Sequence, residues 1–194
     1  MQQTLIDIKK ELRANMNGIA SQVMRQAGMD YHIIWGIEIP RLHDIASEFT
    51  PDRQLGQTLW NENTRESRLL GIMLTPPDQF LPEVADIWAS QLRTSEEATM
   101  LSMELVRKQK WASDIAFRWI ATQEYPQSLC GWLTICHLLR TGNKLMPRSE
   151  QELRDHATAI PNDAPLPLIK AVSNTILTLD EDTIQEKDHQ TDKR

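Results

Sequence analysis

The side chains that could do chemistry in this chain are six tryptophans, five histidines, two cysteines and a cluster of cations. The cations are the most informative. Between residues 105 and 148, seven bases (Arg107, Lys108, Lys110, Arg118, Arg140, Lys144 and Arg148) stand against two acids, a net of +5. Arg107-Lys108-Gln109-Lys110 falls at a corner between helices, and Arg140 to Arg148 surrounds another. Lys and Arg gathered in this way gain affinity for nucleic-acid phosphates by releasing counterions. A second reading of the same residues stays open, because Lys and Arg also favour helix C-termini, where they complement the dipole.

Other chemistry is thinly represented. No glycine-rich phosphate loop, nucleophile elbow or pair of histidines at metal-ligand spacing occurs in the sequence. The histidines are scattered and read as structural or surface residues. Cys130 and Cys136 lie six apart in an apolar stretch, a spacing that suits neither a redox pair nor zinc. They read as buried free thiols. Neither a metal nor an organic cofactor is expected. Among the tryptophans, Trp88 and Trp119 share a repeat position and read as core. Trp35, Trp60, Trp111 and Trp132 lack that constraint, and any of them could stack on a base or a cation, although packing is the commoner use.

The elements that must position these groups are helices. Pro40 opens a segment whose apolar residues, Leu42, Ile45, Ala46 and Phe49, share one helical face. Thr50-Pro51 reads as an N-cap and first helical residue. Asn63 with Glu66, Thr94 with Glu97 and Ser149 with Glu152 each have capping-box spacing. Further helices are predicted at about 4–14, 17–27, 64–74, 82–92, 95–108, 111–122, 126–140, 149–159 and 166–179. Residues 31–37 are the one β-like stretch and read as an ordered connection. Helix starts near 64, 95 and 126 are 31 residues apart, and that shift lays Trp88 on Trp119 and Leu70 on Leu101 and Trp132. A helix pair recurring at that period predicts an all-α solenoid of stacked antiparallel pairs. In such a stack, positions 110 and 141 share an edge, so the two basic corners would form one ridge.

Composition bounds the remaining possibilities. The 194 residues are 40% hydrophobic and 25% charged, which suits a single folded domain over 1–179 and excludes disordered and collagen-like classes. The net charge of −6 hides its distribution: residues 38–104 carry −7 and the terminal segment 180–194 carries −3. That last segment, six acids and three bases with little that is apolar, reads as an unordered acidic tail. Asp7 stands where a signal peptide would need a basic, then apolar, start, so a cytosolic location is expected and no membrane partner.

One stretch also carries a resemblance. Gly36-Ile37-Glu38-Ile39-Pro40-Arg41-Leu42, Ile45-Ala46-Ser47-Glu48-Phe49, Leu59-Trp60 and Glu66-Ser67-Arg68-Leu69-Leu70 resemble the signature of the DNA alkylation repair family, the HEAT-like alkylpurine DNA glycosylases. The resemblance implies helix pairs whose basic inner surface holds duplex DNA, and excision or recognition of N3- or N7-alkylated purines without base flipping. It also implies a tryptophan-lined cleft and an aspartate that stabilises the cationic sugar. The family's catalytic Trp and Asp begin the helix corresponding to 95–106. Here that segment is Ser95-Glu96-Glu97-Ala98-Thr99-Met100-Leu101-Ser102-Met103, with neither residue. The reading from a different class is a non-catalytic helical scaffold for a protein or peptide, since the acidic stretch 38–104 suits a basic partner.

Overall fold

Capping and breaker residues set most of the helix ends. The structure, a computed structural model, describes the backbone of residues 2–191 and the side chains of residues 2–181. Among the described residues there are eleven α-helices and no strand beyond an isolated bridge between Ile33 and Thr64. The chain divides into two compact units, Met1–Leu81 and Pro82–Arg194. Prolines 76, 77 and 82 punctuate the boundary and interrupt regular helix there.

The first unit contains α1 (Gln2–Ala14), α2 (Gly18–Gln26), α3 (Ile39–Ser47), α4 (Arg53–Trp60) and α5 (Arg65–Met73). Asn17 caps α2 by accepting the Ala20 N–H at 3.1 Å. Asp52, not Thr50, caps α4, its carboxylate accepting the Leu55 N–H at 2.8 Å. The stronger acceptor two residues on takes the orphan donor. α5 packs against α3 and α4 and is buried without interruption from Arg65 to Ile72. A helix buried all round needs more than one apolar stripe, and its four polar residues at 65–68 must find internal partners.

The second unit contains α6 (Pro82–Ser90), α7 (Ser95–Glu104), α8 (Ala112–Thr122), α9 (Gln127–Arg140), α10 (Pro147–Thr158) and α11 (Leu166–Thr191). Its core is α9, which packs against α7, α8 and α11. Thr94 caps α7 by accepting the Glu97 N–H at 3.2 Å, while Glu97 reaches back to the Arg93 N–H at 2.9 Å. Ser149 and Glu152 form no such box: α10 begins earlier, at Pro147, whose fixed φ suits a first turn. α7 ends at Glu104 with Leu105 as its C-cap, and Val106–Lys108 forms a separate 3₁₀ turn inside the single helix predicted over 95–108. α11 runs past the predicted end at 179 to Thr191, because no Gly or Pro interrupts 180–191. The charged side chains of the expected tail from 182 onward lie outside the described residues.

The 31-residue repeat is visible in burial. Trp88 and Trp119 are both buried, as are Leu70, Leu101 and Trp132, and Leu74, Leu105 and Cys136. Within the second unit, Asp86 on α6 accepts the Trp119 indole N–H at 2.8 Å and so ties α6 to α8. The Thr134 hydroxyl bonds Ser102 across α9 and α7 at 3.0 Å.

Candidate nucleic-acid interface

The seven cations of the basic stretch all lie in the second unit, and their surroundings differ. Arg118 on α8 pairs with Asp86 at 3.1 Å, and Lys108 pairs with Glu104 at 3.3 Å, so these two are balanced by acids. Lys110, Lys144 and Arg148 are exposed. Arg107 sits on the 3₁₀ turn, and its Nε donates to the Met103 carbonyl at 2.7 Å, which folds the side chain back along α7. Arg140 is the last residue of α9 and is exposed. Among the described residues neither Arg107 nor Arg140 has a carboxylate within ion-pair distance.

Arg107 and Arg140 are the two cations of the stretch that both act on His137. The 3₁₀ turn packs against α9, and His137, in the last turn of α9, lies half-buried. Burial, then the charges of Arg107 and Arg140, hold the His137 imidazole below its ordinary pKa of 6.5. Both guanidiniums therefore act on one ring, although they are 33 positions apart in sequence. Lys110, Lys144 and Arg148 are not among the charges that act on His137. Sequence alone presents His137 as one of five scattered histidines. Its signal lies in the repeat, since 137 is 31 residues after 106, next to Arg107.

The tryptophans that could have stacked on a base are mostly committed inside. Trp60 and Trp132 are fully buried, and Trp60 carries the Arg68 guanidinium 3.7 Å above its ring. Trp35 and Trp111 are only half-buried. At the position of the missing Trp–Asp pair, Glu97 is fully buried and bound to the Arg93 amide, and Glu96 is half-buried in the same first turn. Both cysteines are free and buried, and burial pushes the Cys130 thiol far above its ordinary value. Among the described residues no three His, Cys, Asp or Glu side chains converge as metal ligands. No helix of the described residues is long and apolar enough to cross a membrane.

The signature residues of the first unit form an internal network. Glu66 does not complete a capping box with Asn63. Its carboxylate instead accepts the backbone N–H groups of Trp35 at 2.9 Å, Gly36 at 3.0 Å and Ile37 at 3.3 Å. Asn63 accepts the His32 N–H at 3.3 Å. Arg65 pairs with Glu66 at 2.7 Å and donates to the Ile37 carbonyl at 2.8 Å. From the other side, Arg25 donates to the carbonyls of Tyr31 and His32, and the Ser21 hydroxyl to that of Ile34 at 2.7 Å. The connection at 31–37 is thus ordered by side chains that satisfy its backbone, as a non-repetitive segment at a core requires. Three donors taken by one buried carboxylate also hold a buried charge that would otherwise be costly.

Comparison with known proteins agrees with this arrangement. A sequence profile of the family described as DNA alkylation repair enzyme matches residues 8–140. No curated protein sequence matches the chain. A solved structure, described as a new family of proteins related to the HEAT-like repeat DNA glycosylases with affinity for branched DNA structures, superposes with a TM-score of 0.76. It is 16% identical, and the match covers 89% of this chain and 74% of the other. The all-α fold is therefore HEAT-like, as the repeat predicts.

Proposed function

The chain belongs to the DNA alkylation repair enzyme family, and from that premise we propose that it binds DNA through the cationic surface of its second unit. The observation that carries this reading is that Arg107, on the 3₁₀ turn packed against α9, and Arg140, at the end of α9, both act on His137 and have no carboxylate at ion-pair distance among the described residues. Cations without a balancing acid are poised for an external polyanion. The exposed Lys110, Lys144 and Arg148 on the same unit add further phosphate contacts. Affinity of a structural relative for branched DNA supports a ligand recognised by backbone and shape rather than by base sequence.

Within that reading the target is duplex DNA carrying N3- or N7-alkylpurines, recognised without extruding the base. Excision is the less supported half. The segment expected to supply the catalytic pair offers a capping threonine and a buried, bound glutamate instead. Two buried free thiols suit the reducing cytosol, where we place the protein.

Fluorescence anisotropy with labelled duplex and branched DNA between 50 and 200 mM salt tests the binding. Log affinity should fall linearly with log salt, with a slope of about −0.9 per phosphate neutralised. Absence of any salt-dependent affinity would overturn the DNA reading and leave the protein-binding scaffold. Release of 7-methylguanine or 3-methyladenine from alkylated DNA separates the two halves. Base release makes the chain a glycosylase, and binding without release makes it a lesion- or shape-recognition protein.

A further inference from the structure

We infer that Arg107, His137 and Arg140 form one subsite for a backbone phosphate, in which the imidazole joins the two guanidiniums as a third, proton-dependent cation. The inference rests on the DNA reading above and adds to it a specific phosphate position and a proton taken up on binding.

The geometry comes from two elements. His137 and Arg140 are three residues apart on α9 and so lie on the same side of its last turn. Arg107 arrives from the 3₁₀ turn packed on α9, its guanidinium anchored through Nε to the Met103 carbonyl. That bond uses one edge of the planar group and leaves the Nη donors free to form a fork on a phosphate. Among the described residues the other charges on the packed elements are already committed or set apart. Glu104 on α7 is paired with Lys108, and Arg118 on α8 with Asp86 of α6. Asp114 lies in the first turn of α8, where it complements the helix dipole, and Glu83 is exposed in the first turn of α6. Of the acids on α7, Glu97 is bound to the Arg93 amide, and Glu96 is half-buried in the first turn. On α11, Asp180 is paired with Arg154, Lys170 is exposed, and Glu181 lines a cavity of about 430 Å³ with Arg140 but makes no ion pair with it. Among the described residues the charged groups that act on His137 are thus both cations.

An unbalanced cationic pair around a titratable ring has a defined consequence. Without a ligand the ring is neutral near pH 7, because a third positive charge there is opposed by burial and by both guanidiniums. The C-terminal end of the α9 dipole favours the protonated ring and so acts against these effects. A phosphate seated between the guanidiniums reverses the sign of the local field, so the ring takes up a proton and donates a charge-assisted hydrogen bond. Binding and protonation are then linked, and affinity rises as pH falls.

The test measures duplex affinity from pH 5.5 to 8 at fixed ionic strength. The wild type should bind more tightly as pH falls, by up to about tenfold per pH unit if one proton is taken up. His137→Gln should flatten that dependence to less than about twofold, and His137→Arg should hold the low-pH affinity at every pH. His43→Gln, an exposed histidine of α3 in the first unit, should keep the wild-type profile. Thermal melts establish that each variant folds. If His137→Gln keeps the full pH dependence, the subsite is overturned and DNA binding stands. If no form binds DNA at any pH, the DNA reading and its phosphate fall together. The His137 ring resonance, titrated with inorganic pyrophosphate, then reads the subsite separately: a raised midpoint keeps a phosphate site, and an unmoved one removes it.

Discussion

The Glu66 carboxylate lies 2.7 Å from the guanidinium of Arg65, its neighbour in sequence, and both side chains are buried at the start of α5. The pair faces the connection at 31–37 rather than an opening to solvent, and it binds that connection through four backbone groups: the N–H of Trp35, Gly36 and Ile37 and the carbonyl of Ile37. The most recognisable stretch of the sequence is therefore an assembly device. It fixes how the chain passes from α2 to α3.

Removing the carboxylate should be severe. Glu66→Ala orphans three backbone donors and takes the Glu66 carboxylate from the buried Arg65, a loss of about 3–5 kcal/mol. Replacing both members with apolar residues should not rescue the protein, because the three N–H groups would still lack an acceptor. Urea unfolding reads the total. Hydrogen exchange at Trp35, Gly36 and Ile37 reads the cause, and retained protection there in a destabilised Glu66→Ala would contradict the assignment.

Gly36 should tolerate no side chain. Its φ is +75°, and a Cβ would collide with the Asn17 carbonyl oxygen and the Ser21 amide nitrogen, both backbone atoms that cannot rotate away. Backbone strain alone costs about 1–3 kcal/mol, and the collision adds to it. Gly36→Ala should lower the unfolding midpoint substantially, whereas Gly18→Ala, with open space at its Cβ, should change it little or raise it. Equal midpoints for the two variants would show that α2 does not press on this turn.

Helix number and spacing are legible because local signals agree with packing. The repeat positions at 88 and 119 and at 70, 101 and 132 are all buried, and Thr94 caps α7 as its spacing with Glu97 predicts. Asn63 and Glu66 mislead because the same three-residue spacing serves a different end. A buried carboxylate binds whichever donors need it most, and the amides of a non-helical segment need it more than a helix start does. The same limit applies to the site. Charge counting finds Arg107 and Arg140, but whether a cation has an acid partner depends on which helix lies beside it. Sequence proximity can neither couple Asp86 to Arg118 nor leave Arg107 without an acid partner among the described residues. His137 is hidden for this reason, since a lone histidine gains meaning only from neighbours that the fold supplies.

The cysteines should be chemically silent in the native state. Cys130 is fully buried, and burial holds its thiol protonated far into alkaline pH, so the reactive thiolate is absent. An aromatic disulfide reagent should find no fast-reacting thiol in the folded protein and two in denaturant. The linkage sign follows from the raised folded value. Below the ordinary value of 9.0 both states keep the proton and the contribution is constant. Above it only the unfolded chain ionises, so stability should fall as pH rises past 9. Cys130→Ala should lessen that alkaline decline, at the cost of a small cavity. Rapid labelling of native Cys130 would mean that α9 opens locally.

Charge reversal on the exposed part of the basic stretch should act on DNA without acting on the fold. Lys110 and Lys144 are both exposed, so Lys110→Glu with Lys144→Glu removes little packing and should leave the unfolding midpoint within about 0.5 kcal/mol of wild type. If the two lysines bind phosphates, duplex affinity should drop uniformly across sequences. The log–log salt slope should also become shallower by about 0.9 for each phosphate no longer neutralised. The pH dependence should survive in this double variant, because the Arg107, His137 and Arg140 cluster is untouched. These readouts separate two roles for the cations. Charges that merely complement helix ends would cost stability when reversed and leave the slope unchanged. An unchanged slope would therefore confine the DNA surface to the cluster at the end of α9.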